Sequence, residues 1–298
     1  APLVSNCPDF MQECKKELLA LFEGRDLGDV TVFNGATFKR HSWGLSLNLK
    51  HYWGKVFTAA DLQQSPSKKT PIAKKISAAD SPPEPVPWIR KIYWKLAGYL
   101  VYGATRVRPD LVYPVNAFTR VASNPSKGHL QQLHDCLSYI RSTTDEDLKF
   151  FRGSSVYIGM DFVFDVWPDS SFADDETTMR STGGWYIFLG PFQGAISAHS
   201  HLRRSVTTSS TESEYCTYCD AAKDAMYVLQ FLEELRLFKS VRFRLNCDSM
   251  PAMKALQKDV TQSRSKHVRI EFHYIRDLLN ERLCWIREVS TVDRAGDL

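Results

Sequence analysis

The second half of the sequence predicts an α/β domain, and three observations carry that expectation. Residues 206–235, VTTSSTESEYCTYCDAAKDAMYVLQFLEEL, make one long amphipathic stretch. Runs rich in aromatic and β-branched residues flank it on both sides, the composition of strands. Acidic residues, Asp169, Glu214 and Asp248, stand at the ends of these elements. In open α/β sheets, ligands bind beyond the carboxyl ends of strands.

The long stretch predicts a helix because Tyr215, Cys219, Ala222, Met226, Leu229 and Leu232 recur at steps of three and four, with charged residues on the other side. Its Ser/Thr-rich start offers side-chain oxygens to the unpaired amides of a first turn. Glu214 is within one turn of the apolar stripe, so its carboxylate faces the fold and needs a partner or a metal ion. Upstream, 162–166 and 184–189 predict strands, and Gly190-Pro191-Phe192-Gln193-Gly194 joins the second of them to 195–198 as a hairpin. Downstream, 241–247 alternates Val, Phe, Leu and Cys with Arg and Asn and then reaches Asp248. A helix over 268–280 and a last strand over 282–289 complete the domain, with Trp285 in its core.

The front half predicts a smaller α+β unit. Residues 9–22 read as a helix with Phe10, Cys14, Leu18 and Leu21 on one face, ended by Asp26-Leu27-Gly28. Strands over 30–40 and 45–49 turn at Ser42-Trp43-Gly44, and a short helix follows near 51–60. Residues 64–87, with SPSKKTP and SPPEPVP, predict an extended linker. Its Lys68, Lys69, Lys74 and Lys75 either touch phosphates or are solvated. Three helices are expected at 88–105, 109–122 and 128–141.

Composition bounds the function. A chain of 298 residues, 43% hydrophobic, can bury a sizeable core and suggests about two domains. The net charge of +4 is unevenly divided: 20 Lys and Arg against 14 Asp and Glu over 1–150, a balance of +6, and 18 against 20 over 151–298, a balance of −2. That division suits a phosphate grip beside a carboxylate site, and equally suits ordinary solvated charge. Seven scattered cysteines argue for a reducing compartment and against a disulfide framework. The Cys216/Cys219 pair lies within the expected helix and has no second pair to complete a zinc site. No run approaches the roughly twenty apolar residues of a membrane span. No signal segment is evident, and a chain opening at Ala1 is compatible with a processed or truncated precursor.

The segments PDSSFADDETTMRSTGGWYIFLG, SSTESEYCTYCDAAKDA, LNCDSMPAMKAL and SRSKHVRIEFHYIRD resemble, in order and spacing, the ribonuclease H domain of copia-type LTR retrotransposon Pol polyproteins. ECKKELLALFEGRDLGDVTVFNGATFKR and YLVYGATRVRPDLVYPVNAFTRVASNPSKGHL resemble the end of that family's reverse transcriptase and its connection. The resemblance implies a ribonuclease H-like mixed five-stranded sheet with flanking helices at 156–298. It divides the remainder into a palm-end and thumb remnant at 1–63, the linker at 64–87 and a helical connection at 88–155. The family's Tyr-x-Asp-Asp polymerase signature would precede this region, so polymerization by this chain alone is not expected.

Matched residue by residue, Asp169, Glu214, Asp248 and Asp297 are the four catalytic, metal-binding carboxylates that the resemblance implies. Two Mg²⁺ ions, replaceable by Mn²⁺, would sit among them about 4 Å apart for cleavage of the RNA strand of an RNA/DNA hybrid. The family carries a second Asp where this chain has Ser171, although Asp174 and Asp175 follow, and it continues into further helix where this chain ends one residue after Asp297. Substrate phosphates and 2′-hydroxyls fall to His199, His201, Arg203 and Arg204 and to Arg264, Lys266 and His267. His267 either assists proton transfer or phosphate binding, or is a structural hydrogen-bond partner. Arg106 and Arg108, in TRVRPD, either hold phosphates or pair with neighbouring acids to fix a helix junction. Two functions therefore compete. One is a metal-dependent endonuclease acting on RNA/DNA hybrids or RNA. The other is a domesticated, weak or inactive copia-derived subunit of a larger assembly, its front half buried by other protein subunits.

Overall fold

The computed structural model describes residues 7–62, 64, 66–153, 159–257 and 266–290, and for 255, 257 and 266–272 the backbone alone. Helix α1 (Pro8–Leu21) starts on a proline, whose missing amide costs nothing in a first turn. It buries none of its residues: Phe10, Leu18 and Leu21, expected on a packed face, are exposed. Strands β1 (Val32–Phe33), β2 (Ala36–His41) and β3 (Gly44–Asn48) follow. The single strand expected over 30–40 is a hairpin, because Asn34 and Gly35 take φ values of 48° and 75°, the pair of left-handed residues that a two-residue turn requires. Strand β4 (Leu148–Phe151), which periodicity did not show, closes this antiparallel sheet in the order β1-β2-β3-β4.

Helices α2 (Lys50–Ala59), α3 (Pro87–Ala104), α4 (Val112–Arg120) and α5 (Lys127–Ser142) pack around Trp53, Tyr93, Leu100, Leu111, Phe118 and Leu137. The proline-rich segment expected as a linker lies along this core. Ile76 is buried, and side chains take up main-chain carbonyls: His129 Nε2 at 2.9 Å from Ser77 O, Asn124 Nδ2 at 2.7 Å from Pro82 O and Ser142 Oγ at 2.9 Å from Lys68 O. Lys68 and Lys75 pair with Asp135 and Glu176.

The second sheet is built from β5 (Asp161–Asp175), β6 (Arg180–Phe188), β7 (Ala195–Leu202), β8 (Ser240–Cys247) and β9 (Cys284–Glu288), in the order β7-β6-β5-β8-β9. Strands β5, β6 and β7 form an antiparallel meander, while β8 and β9 run parallel to β5. Helix α6 (Ser210–Glu234) makes the crossover from β7 to β8, and α7 (Met250–Gln257) and α8 (Lys266–Asn280) lie between β8 and β9. This is the mixed five-stranded α/β sheet that the resemblance implies. Phe164, Val166, Phe243 and Leu245 project from it against Tyr218, Ala221, Ala222, Ala225 and Leu229 of α6. Small residues let the helix lie close, and the buried aromatics supply area: roughly 1.5–3 kcal/mol for each large side chain removed from water.

Strand β5 runs well past the expected 162–166, because β6 continues to pair with it to Asp175↔Arg180 across an irregularity between Ser171 and Asp175. The two sheets meet at the β6–β7 turn. Gly194 N donates to Lys149 O at 2.7 Å, and the Gln193 amide serves both the Phe151 N–H (2.8 Å) and the Phe151 carbonyl (2.9 Å), standing in for a strand partner. Asn116 Nδ2 to Ser200 Oγ at 3.1 Å ties α4 to β7.

Candidate active site

The start of α6 is fixed by its own side chains. Ser209 Oγ accepts from Glu212 N at 3.1 Å, and the Glu212 carboxylate takes the Thr208 N–H at 2.6 Å and its hydroxyl at 2.7 Å. With Glu212 occupied at the cap, Glu214 is left for the interior edge. Its neighbour Ser213 is fully buried and accepts the Ser170 hydroxyl at 3.0 Å. Strand and helix come this close because Gly183 of β6 has no side chain: a Cβ there would stand 2.6 Å from Thr217 Oγ1. The residue after Asp169 therefore touches the residue before Glu214.

Parallel pairing sets the third acid. Val166 is level with Leu245, and Asp169 and Asp248 each lie three residues further along their chains. Asp169 is an exposed residue of β5 opposite Gly184, and its Oδ1 accepts from Ser170 N at 2.8 Å. Asp248 follows β8 directly. Ser249 then opens α7, its carbonyl accepting from Met253 N at 3.0 Å. Two buried groups, Tyr218 and Cys247, lie near both Glu214 and Asp248. Burial pushes the Tyr218 hydroxyl up, and Cys247, Glu214 and Asp248 add to the effect. Burial likewise pushes the Cys247 thiol up, with Asp248 and Glu214 reinforcing it. Both groups feel both carboxylates, so the two acids share one neighbourhood.

Among the described residues, no group of three or more His, Cys, Asp and Glu side chains gathers closely enough to hold a metal ion. Asp297 lies outside the described residues. The donor set is nonetheless all carboxylate oxygen, the ligand chemistry that Mg²⁺ takes, and on that ground these residues fit such an ion. The acids near Ser171 have other work. Asp174 Oδ2 accepts from Thr182 Oγ1 at 2.7 Å and lies 3.9 Å from Arg120, while Asp175 Oδ1 caps the following turn at Thr177 N.

The basic residues divide. Arg108 is buried, with its guanidinium donating to Asp110 at 2.9 and 2.7 Å and to Thr143 Oγ1 at 2.8 Å, which fixes the helix junction. Arg203 is buried and 3.0 Å from Asp220, a carboxylate that also meets Lys223 at 3.2 Å and His201 at 3.6 Å. Arg204 and Arg106 are exposed, the latter 5.4 Å over the Tyr102 ring. His199 stacks on Trp185 at 4.7 Å. Arg264 lies outside the described residues, and Lys266 and His267 open α8 with only their backbone described.

Sequence reasoning missed Tyr218, the Ser170–Ser213 bridge and a polar ladder on the sheet. In that ladder Arg244 donates to both oxygens of the buried Asp165 at 2.6 and 2.8 Å, and Asn246 adds a third bond at 2.9 Å. The alternation Arg242, Arg244, Asn246 was a usable signal, since alternate residues of a strand share a face.

No family model matches the chain. The retrovirus-related Pol polyprotein of transposon TNT 1-94 from Nicotiana tabacum is 27% identical over 304 residues, 99% of this chain and 22% of that protein. Secreted RxLR effector protein 161 of Plasmopara viticola is 32% identical over 137 residues, 46% of this chain and 90% of that protein. Among solved structures, the foamy viral protease-reverse transcriptase in complex with RNA/DNA hybrid is 13% identical with a TM-score of 0.49, covering 98% of this chain and 34% of that one. The chain spans about a fifth of the length of the Pol polyproteins that it matches. Over nearly its whole length the chain is similar to the retrovirus-related Pol polyproteins of copia-type plant transposons, and its second half carries a mixed five-stranded α/β sheet in the order β7-β6-β5-β8-β9.

Proposed function

We propose that the chain is a metal-dependent endonuclease that cleaves the RNA strand of RNA/DNA hybrids. The observation that supports this most is the junction of β5, α6 and β8: Ser170 on Ser213, with Glu214 and Asp248 both acting on the buried Tyr218 and Cys247. Asp169, Glu214, Asp248 and Asp297 would hold Mg²⁺, as two ions, or Mn²⁺ in its place. Such ions activate a water and stabilise a leaving 3′ oxygen. The carboxylates orient the scissile phosphate between strand ends and helix start. Arg204 and Arg106, both exposed, are suited to neighbouring phosphates, and Lys266, His267 and Arg264 precede or open α8 on the same domain. Residues 1–63 and 88–155, joined by 64–87, would carry the nucleic acid toward residues 156–298.

Purified chain with Mg²⁺ should cut a labelled RNA/DNA hybrid. Asp169→Asn or Asp248→Asn, or chelation of the ion, should abolish the cut. A second reading, a structural or RNA-binding subunit of a larger assembly, draws on α1, which leaves Phe10 and Leu21 in solvent beside Phe22 and Leu27. An unaltered chain that leaves the hybrid intact, and that is recovered in stoichiometric amounts within a complex, would decide for this second reading.

A further inference from the structure

The outer face of the first sheet carries a row of rings. Alternate residues of a strand share a face, so Thr37, Lys39 and His41 of β2 look away from the side on which Ala36 and Phe38 pack. Across the strands Lys39 is level with Ser46 and Lys149, and His41 with Gly44 and Phe151. Trp43, in the turn before Gly44, touches both of the rings that flank the glycine: it stacks on His41 at 4.3 Å and 8°, and meets Phe151 at 5.1 Å. The row is held by its surroundings. Ser46 gives its one proton to Asp147 Oδ2 at 2.7 Å, so His41 Nε2, 3.0 Å from Ser46 Oγ, is the donor there. Asn48 Nδ2 holds Asp147 in turn at 2.7 Å, and Arg152 N donates to Trp43 O at 2.7 Å. Trp43 and Phe151 are nevertheless 36% and 43% exposed, and Phe192, in the adjoining β6–β7 turn, is 92% exposed. Lys39, Lys149 and Arg152 border the row, all exposed, and among the described residues none of the three is in an ion pair. Of the acids in the loop before β4, Asp147 is taken by Ser46 and Asn48 and Asp145 by Lys50, which leaves Glu146 against three cations.

We propose that this face binds single-stranded nucleic acid, with unpaired bases stacking against the row of Trp43 and Phe151 while Lys39, Lys149 and Arg152 hold the phosphates. Stacking gives affinity without regard to sequence, since every base has a π face, and rings that are already fixed lose little freedom when a base arrives. The site stands on the first sheet, apart from the carboxylates of the second, and does not depend on cleavage by them.

The test follows the fluorescence anisotropy of labelled oligothymidylate and oligouridylate with the full chain, beside an abasic phosphodiester strand of equal length, in EDTA to keep divalent ions from the acids. The parent should bind both oligonucleotides and hold the abasic strand about tenfold more weakly. Trp43→Ala, checked for folding by circular dichroism, should lose about tenfold for the oligonucleotides and nothing for the abasic strand. Lys39→Ala combined with Lys149→Ala should flatten the slope of log affinity against log salt by about 1.4, at roughly 0.7 for each phosphate contact. A parent that binds neither oligonucleotide, a folded Trp43→Ala chain that binds them as tightly as the parent, or an abasic strand held as tightly as the others would overturn the proposal. Should Trp43→Ala unfold, the double lysine variant, altered only at exposed positions, decides, and an unchanged salt slope would sink the site.

Discussion

Replacing Gly183 by alanine should lift the start of α6 off the sheet. The new Cβ would lie 2.6 Å from Thr217 Oγ1, 3.2 Å from its Cγ2 and 3.4 Å from its Cβ. Thr217 has little freedom to yield, being fully buried with its hydroxyl donating to Ser213 O at 2.9 Å. Overpacking of this kind costs about 1–3 kcal/mol. For a domain of this size the Tm should fall by on the order of 5 °C. Thr217→Ala removes both of the closest atoms and leaves only an ordinary contact, so the double variant should recover most of the loss. A double-mutant cycle by chemical denaturation would measure a favourable coupling of about 1 kcal/mol or more. Hybrid cleavage should fall further than stability does, because Ser213 and Glu214 ride on the turn that moves. A Gly183→Ala chain as stable as its parent, or a double variant no better than the single, would refute the argument that the glycine exists for helix approach.

Two further outcomes concern charge. Burial alone would raise the Asp220 carboxyl, but hydrogen bonding to His201 and the charges of Arg203 and Lys223 outweigh it and hold the group at about 2. A depressed carboxylate contributes stability that is complete above its unfolded pKa of about 3.9 and is lost as pH falls from there through about 2, here about 2 kcal/mol. Urea midpoints between pH 2 and 6 should therefore fall more steeply for the parent than for Asp220→Asn, and parallel curves would exclude the pairing. Arg244→Ala leaves the buried Asp165 carboxylate with Asn246 as its remaining side-chain donor, a loss of about 3 kcal/mol by guanidinium denaturation. An unchanged midpoint would mean that the ladder is no stronger than a solvated pair.

The elements of the second domain were legible because their signals are local. The amphipathic spacing of α6, the Gly-Pro-Phe-Gln-Gly turn and the alternation along β8 each act within one element, and each is found where expected. The extent of β5 was not legible, since what prolongs it to Asp175 is pairing with β6, a partner outside the window of any local pattern. The β1–β2 hairpin had its signal in the sequence, Asn34-Gly35, and the surrounding β-branched residues outweighed it. At the candidate site, residue types pointed to the acids but not to their supports. The pairing of Arg108 at the helix junction was one of the two readings the sequence offered, since Asp110 lies two residues away; the partner of Arg203 was not legible, because Asp220 reaches it only across the β7–α6 connection.

Under the proposed function Ser171 stands where a further carboxylate ligand is expected, and its surroundings limit substitutes for that ligand. A nearby carboxylate could take over only if it were free to turn inward. Asp174 is engaged by the Thr182 hydroxyl and sits near Arg120 of α4, so moving it would strip a bond from β6 and weaken the contact between α4 and the sheet. Asp175 accepts two main-chain amides, from Thr177 and Thr178, in the turn that returns the chain to β6. Each substitute would have to leave a contact that keeps β5 and β6 in register. That register is also what sets Asp169 opposite Gly184 and Ser170 beside Ser213. Recruiting either acid would therefore disturb the geometry that it was recruited to complete, and under the proposed function the chemistry would fall to the acids that parallel pairing and the start of α6 bring to the same end of the sheet.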